Sequence, residues 1–290
     1  MSNNYDSLQT SHPCFGGYKN NVGRIHLPVS PSCNISCKFC DRKINHDEER
    51  PGVTSKVITP NEAMEVLGKA LELCPEIKVV GVAGPGDTLA TNYALETFKM
   101  VKQKYPHLIK CMSTNGLLLD EKIEEILEVG IDSLTVTVNA VDPEIEAKLN
   151  RFIVYHNKVY HGIEAAKILI ENQLRGIKRV ADAGITIKVN TVLVPEINGL
   201  HIEEIAKTVK AAGACIYNII PLIPQSELSH HSSPKCHEID EARTIAGKYI
   251  DVFRHCQHCR ADAAGLLGGK DYGNQLYQRR IASSDTFSHG

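Results

Sequence analysis

The sequence predicts an α/β fold, a partial (β/α) barrel of the TIM type with about six strand–helix units. Three observations predict it. Short apolar runs rich in Val, Ile and Thr alternate six times with segments of helical period. The runs are apolar on both faces, as parallel strands covered by helices must be. No linker-like composition break or tandem repeat divides the 290 residues, whose 42% hydrophobic content can bury a large core.

The elements follow in order. Residues 1–23 are polar and rich in Gly and Asn, and read as an N-terminal arm. RIHLPVS (24–30) is the first strand, and residues 41–58 form a charged loop. Thr59 with Glu62 makes a capping box with Pro60 at the first helical position, and Met64, Leu67, Ala70 and Leu71 mark one apolar helical face. KVVGVAG (78–84) is the next strand, followed by a helix over about 92–104. IKCMSTNG (109–116) is a strand and turn, and a helix covers 121–130. SLTVTVN (133–139) is a strand, Asp142-Pro143 starts a helix, and a longer helical region spans about 161–183. ITIKVNTVLVP (185–195) is a strand, 201–212 a helix, and CIYNIIPLIP (215–224) the sixth strand. Residues 237–255 read as helical, and the polar tail from about 270 reads as loose. This divides the chain into an arm (1–23), a barrel (24–235) and a C-terminal extension (236–290).

Bulk properties exclude several function classes. Formal net charge is −2, so no basic field invites nucleic acid. The start, MSNNYDSLQT, lacks a signal-peptide apolar core, and no stretch approaches the roughly 20 apolar residues of a membrane span. The expectation is a cytoplasmic protein without membrane or nucleic-acid partners. Ten cysteines are many for such a chain. In a reducing compartment, clustered cysteines point to metal or catalysis rather than disulfides. Cys33, Cys37 and Cys40 are bunched, as are Cys256 and Cys259, while Cys14, Cys74, Cys111, Cys215 and Cys236 stand alone.

The segment PSCNISCKFCDRK places Cys33-x3-Cys37-x2-Cys40 directly after the first strand. Three thiolates on one loop can hold three irons of a [4Fe–4S] cube and leave the fourth iron open. Zinc knuckles pair their ligands differently. The 3-then-2 spacing, with Phe39 before the last cysteine, resembles the radical S-adenosylmethionine (SAM) signature. That resemblance implies that SAM fills the open iron site and yields a 5′-deoxyadenosyl radical after one-electron reduction. Other strand ends supply candidate SAM-binding groups: Gly84, Gly86 and Asp87 after the second strand, Ser113 and Asn115 after the third, Asn139 after the fourth and Asn190 in the fifth.

The pair Cys256-x2-Cys259 follows a helix rather than opening one, which favours metal over thioredoxin-like redox chemistry. A pair is insufficient for a cube, and further candidates are His12, Cys14, His26, His46, Cys111 and His258. The order and wording of the segments resemble the NifB family, the radical SAM maturases of the nitrogenase cofactor. The matching segments are His12-Pro13-Cys14, the triad with Asp41-Arg42-Lys43, Glu48-x-Arg50-Pro51-Gly52-Val53 and Ala83-Gly84-Pro85-Gly86-Asp87. Cys111 before Ser113-Thr114-Asn115-Gly116, and Cys256-x2-Cys259-Arg260-Ala261-Asp262-Ala263-x-Gly265, complete the set, which spans about residues 11–269.

The resemblance implies two further [4Fe–4S] clusters as precursors, fused into an eight-iron carbide-centred product. One SAM donates a methyl group, a second yields the radical that removes hydrogen from it, and a ninth sulfur comes from outside the cubes. It implies a cluster donor protein, an electron-donating ferredoxin, and cofactor scaffold or carrier proteins as partners. It also implies the stand-alone form without a C-terminal carrier-like domain. Many relatives have a cysteine between the triad and the Arg-Pro-Gly segment; here none is present and His46 is the nearest candidate. Under the resemblance, Cys14, His46 and Cys111 surround one precursor and Cys256 and Cys259 hold the other, with Cys14 or His12 able to change sides. Glu48 or Asp262 is the candidate base for deprotonating carbon, with Arg50 and Arg260 balancing cluster charge. Competing readings are another radical SAM enzyme with auxiliary clusters, such as a molybdopterin-type cyclase or peptide maturase, and a non-enzymatic iron–sulfur carrier or zinc module.

Overall fold

The computed structural model describes residues 3–17, 21–41 and 44–278. Arg42, Lys43 and the tail beyond 278 lie outside the described residues. In chain order the elements are α1 (Asn3–Ser11), β1 (Gly23–His26), β2 (Ile35–Cys37), α2 (Pro60–Leu73), β3 (Ile77–Val82), α3 (Tyr93–Lys104) and β4 (Ile109–Thr114). They continue with α4 (Ile123–Val129), β5 (Ser133–Thr137), α5 (Pro143–Leu149), β6 (Asn150–Tyr155), β7 (Lys158–His161), α6 (Gly162–Asp182) and β8 (Thr186–Leu193). The remainder are α7 (Pro195–Asn198), α8 (Ile202–Ala211), β9 (Ile216–Pro221), α9 (Cys236–Ala246), β10 (Asp251–Val252), β11 (Ala264–Leu266) and α10 (Gly273–Tyr277).

The main sheet runs β10-β9-β8-β5-β4-β3-β1-β11. Its neighbours are parallel except β1 with β11. The six strands expected from sequence form its body, and the connecting helices bury their apolar faces on it in one continuous core. Local chemistry sets the boundaries. Thr59 and Glu62 complete the capping box of α2, Asp142 accepts from the Glu144 and Ile145 amides at the start of α5, and left-handed Gly130 ends α4.

Four features differ from the sequence expectation. The arm contains α1, which packs Leu8 into a small core with Phe15, Ile216 and Phe253. The helix expected over 237–255 stops at Ala246, and 251–252 instead extend the sheet beside β9. Part of the expected loose tail is held: Tyr277 is buried and its hydroxyl donates to the His26 carbonyl at 2.6 Å. Finally, β2, β6 and β7 form a separate antiparallel sheet. Its hairpin turns at His156 and Asn157, both at positive φ, as a two-residue turn between twisted strands requires.

Burial of Glu146 in α5 gives a stability prediction. Its carboxyl accepts from Asn150 Nδ2 and is pushed up to about 8, chiefly by burial. The folded chain therefore keeps the proton over a range in which the unfolded chain loses it, from 4.5 up to about 8. This contribution is complete below the unfolded value and is lost as pH rises through about 8. Glu146→Gln should flatten the slope, removing a loss on the order of 4 kcal/mol between pH 5 and pH 8. Denaturant unfolding at the two pH values checks it; an equal slope in both chains would contradict it.

Candidate functional site

The triad loop is fixed by the small sheet. Cys37 lies in β2 opposite Asn150 of β6, and Cys33 and Cys37 pack against Ile35, Leu117 and Ile153. Beyond β2, the Lys38 amide donates to the Leu149 carbonyl at 2.9 Å and Cys40 N donates to Cys37 O at 3.2 Å. Phe39 packs with Leu149, Val194, Leu222 and Leu228, which anchors the side of the loop away from the sheet. Among the described residues, which include all ten cysteines, none forms a disulfide.

The glycine turn after β3 meets this loop backbone to backbone. Gly86 N donates to Ser30 O at 2.8 Å and Asp87 N to Ser32 O at 2.9 Å. A Cβ on Gly86 would stand 2.0 Å from Ser32 O, so only glycine fits. Asp87 is buried and faces the end of β4: it accepts from Thr114 Oγ1 at 3.0 Å, Asn115 N at 2.6 Å and Leu89 N at 3.0 Å. Asn115 Nδ2 in turn lies 2.7 Å from Asn34 Oδ1 and 3.7 Å from Cys33 Sγ. Strand ends three and four of the main sheet are thus locked to the first cysteine.

A cavity of about 330 Å³ runs along the parallel strands, from Asp87, Asn115 and Leu222 at their carboxyl ends to Arg24, Val79 and Lys188 in their amino halves. Cys14, Cys37, Cys40, Cys111, Cys256 and Cys259 all line it, with His12, His26, Arg50, Gly86, Asp87, Ser113, Asn115 and Asn190. No three His, Cys, Asp or Glu side chains among the described residues converge on a single-ion site, so the thiols are spread around the cavity. Burial pushes the Cys14 thiol up to about 11 and raises Cys111. Any metal bound through these thiols would have to displace their protons. Soft thiolates on three half-buried positions, Cys37 at the end of β2 and Cys33 and Cys40 in the flanking segments, fit a [4Fe–4S] cluster.

Other sequence candidates sit elsewhere. His46, Glu48, Gly84 and Asn139 do not line the cavity. Glu48 pairs with Arg50 Nε at 2.5 Å, and its own carbonyl accepts from Arg260 Nη1. Asn139 is buried, accepting from Val192 N at 2.9 Å, and Gly84 stands at φ 129° with Ala261 3.3 Å from its Cβ position. Asp262 is fully buried in an ion pair with Arg260 and accepts from Ser55 N and Oγ, both at 2.8 Å. Asn190 lines the cavity and accepts from Asn218 Nδ2 at 3.1 Å.

Two cavity cations escaped the sequence reading. Arg24 is buried in β1, donating to Gly265 O at 2.9 Å and lying 3.2 Å from Cys259 Sγ. Lys188 is buried in β8, its Nζ 5.6 Å from the Phe15 ring and 5.4 Å from the Phe253 ring. The available signal was a charged residue inside an otherwise apolar parallel strand. His26 also differs from the other histidines. Its Nδ1 donates to Arg260 O at 2.9 Å, which leaves a lone pair on Nε2 within the cavity, and burial lowers it to about 4. It is a neutral imidazole in the tautomer of a metal ligand.

The profile of the radical SAM superfamily matches residues 27–209. Among curated relatives, the FeMo cofactor biosynthesis protein NifB of Methanocaldococcus jannaschii is 46% identical over 279 residues, 95% of this chain and 93% of that protein. NifB of Chlorobaculum tepidum is 41% identical over 263 residues, 89% of this chain and 62% of that longer protein. NifB of Azotobacter vinelandii is 38% identical over 284 residues, 95% of this chain and 56% of that protein. The crystal structure of SuiB from Streptococcus suis bound to S-adenosylmethionine shares the fold, with a TM-score of 0.59 at 11% identity, over 87% of this chain and 56% of that one. Methylornithine synthase (PylB) also shares it, with a TM-score of 0.51 at 14% identity, over 86% of this chain and 69% of that one. No helix among the described residues is long and apolar enough to cross a membrane. The chain is a radical SAM enzyme and belongs to the NifB family.

Proposed function

We propose that this enzyme acts in nitrogenase cofactor biosynthesis, fusing two [4Fe–4S] substrate clusters into an eight-iron carbide-centred precursor. The observation that carries this reading is one cavity lined by two of the triad cysteines, Cys37 and Cys40, and by two further thiol sets, Cys14 with Cys111 and Cys256 with Cys259. When bound at the triad, the resident cluster supplies the electron that cleaves SAM to methionine and a 5′-deoxyadenosyl radical.

The chain's own residues do the rest. Gly86 and Asp87 hold the triad loop against the end of β4, and Asn115 steadies Cys33. Gly84, Ser113, Asn139 and Asn190 surround or support the strand ends where SAM would lie. Cys14, Cys111 and the His26 imidazole hold one substrate cluster, and Cys256 and Cys259 the other, with Arg24 beside Cys259. His26 suits this place better than His46, because its free Nε2 lines the cavity and His46 does not. One SAM methylates a substrate sulfide and leaves S-adenosylhomocysteine. The radical from a second SAM takes one methyl hydrogen and leaves as 5′-deoxyadenosine; the other two hydrogens leave as protons, and the carbon–sulfur bond breaks as carbon–iron bonds form, with electrons drawn from the reduced substrate clusters and replaced by the ferredoxin. The substrate clusters arrive from a donor protein, electrons from a ferredoxin, and the product leaves on a carrier.

Anaerobic incubation with dithionite, SAM and reconstituted clusters should yield both 5′-deoxyadenosine and S-adenosylhomocysteine. The Cys256→Ala, Cys259→Ala double variant should lose the fused product. 5′-Deoxyadenosine without S-adenosylhomocysteine would point to another radical SAM reaction, and neither product would point to a carrier.

A further inference from the structure

Two donors that line the cavity have no acceptor among the described residues. His12 Nδ1 accepts the Cys14 backbone N–H at 3.1 Å. An amide only donates, so Nδ1 carries the lone pair and the neutral ring has its proton on Nε2. That atom is buried on a cavity-lining residue and has no hydrogen-bond partner among the described residues. It is the opposite tautomer to that of His26, whose Nδ1 donates to a carbonyl. Lys188 lines the same cavity, buried, with aromatic faces rather than a carboxylate around its ammonium among the described residues. The Phe15 ring joins the two, meeting His12 edge-on at 4.9 Å and Lys188 Nζ at 5.6 Å. A buried N–H without an acceptor among the described residues is costly unless a ligand atom completes it, and the Lys188 ammonium beside it favours an anion there. The cavity's Asp87 is turned to other donors, accepting from Thr114, Asn115 and Leu89.

We propose that His12 and Lys188 form an anion-holding corner that takes a sulfide face of the substrate cluster bound through Cys14, with His12 as hydrogen-bond donor and not as iron ligand. This rests on the proposed function and deepens it. Hydrogen bonds and positive charge at cluster sulfur stabilise the reduced, more negative state and raise its potential. The corner therefore holds the cluster and eases its reduction.

The test uses the full chain reconstituted anaerobically with iron and sulfide, reading iron per chain and cluster reduction potentials. His12→Gln keeps a side-chain N–H near the position of Nε2 but offers no imidazole, so it should retain the Cys14-side cluster. His12→Phe keeps the ring packing and loses the donor; Lys188→Met keeps the stem and loses the charge. Each should weaken that cluster about 10-fold or more and lower the potential of whatever remains. Lys188→Arg should restore both. If His12→Gln loses iron as His12→Phe does, His12 is a ligand and the proposal falls. Unchanged iron and potential in Lys188→Met, or equal loss in the Arg and Met variants, also overturns it. Intact iron with lost SAM binding assigns the corner to the SAM carboxylate instead, and overturns it too. Should Lys188→Met fail to fold, Lys188→Gln against Lys188→Arg decides the same point. A wild-type chain that takes up iron only for its triad cluster defeats the proposed function itself, a result distinct from any of these.

Discussion

Gly86→Ala should remove SAM cleavage while leaving the barrel folded. The added Cβ would sit 2.0 Å from Ser32 O, 2.6 Å from Ser32 C and 2.8 Å from Ser30 O, all of them backbone atoms. No rotamer relieves such a contact, so either the turn after β3 or the Ser30–Ser32 segment must move. The second is the approach to Cys33, and the first carries Asp87, which holds Asn115 against Cys33. Either way the first triad thiol leaves its place. A displacement of about 1 Å at a reacting centre costs on the order of 100-fold in rate, so 5′-deoxyadenosine formation should fall at least that far. Triad iron should fall with it. Gly199→Ala is the control, because its Cβ would meet only Pro195 Cβ, at an ordinary 3.9 Å. Wild-type rates in Gly86→Ala would mean that the backbone contact is not what fixes the loop.

Arg260→Met should destabilise the chain by about 3–5 kcal/mol, the usual cost of leaving one partner of a buried ion pair alone. Arg260 and Asp262 side chains are 1% and 0% exposed and meet at 2.9 Å. The guanidinium also donates to the Asn45 and Glu48 carbonyls, while Asp262 binds Ser55. The pair thus fastens the segment after Cys259 to the loop between the triad and α2. Through the Arg260 carbonyl it also orients His26. Denaturant unfolding of the iron-free chain measures the loss. Arg260→Met combined with Asp262→Leu should recover part of it, since no unpaired charge then remains. A cost below about 1 kcal/mol for the single variant would contradict the buried-pair argument.

These two sites show what the linear sequence could and could not convey. Gly86 was readable as a turn glycine beside a strand end, but the reason no other residue fits is a carbonyl more than fifty positions away. Arg260 and Asp262 were readable as part of a motif; that they close on each other and on residues 45–55 was not. The hairpin of β6 and β7, which turns at His156-Asn157, lies between the helix begun at Asp142-Pro143 and the helical region of 161–183, and the sequence reading assigned it no element. Among the histidine candidates the sequence favoured His46 by its place after the triad, and only the hydrogen bonds of His12 and His26 distinguish a donor from a lone-pair acceptor.

The sequence by itself determined the parallel α/β sheet, because strand and helix periodicities are local. It also pointed to iron–sulfur chemistry, because the spacing of Cys33, Cys37 and Cys40 lies within eight consecutive residues. Only the tertiary structure decided how Cys14, Cys111, Cys256 and Cys259 come to share one cavity, and which buried cations and imidazole tautomers face them. The physical reason is that side chains drawn together from distant strands and arms depend on packing, charge burial and hydrogen-bond direction, and none of these is encoded in residue spacing.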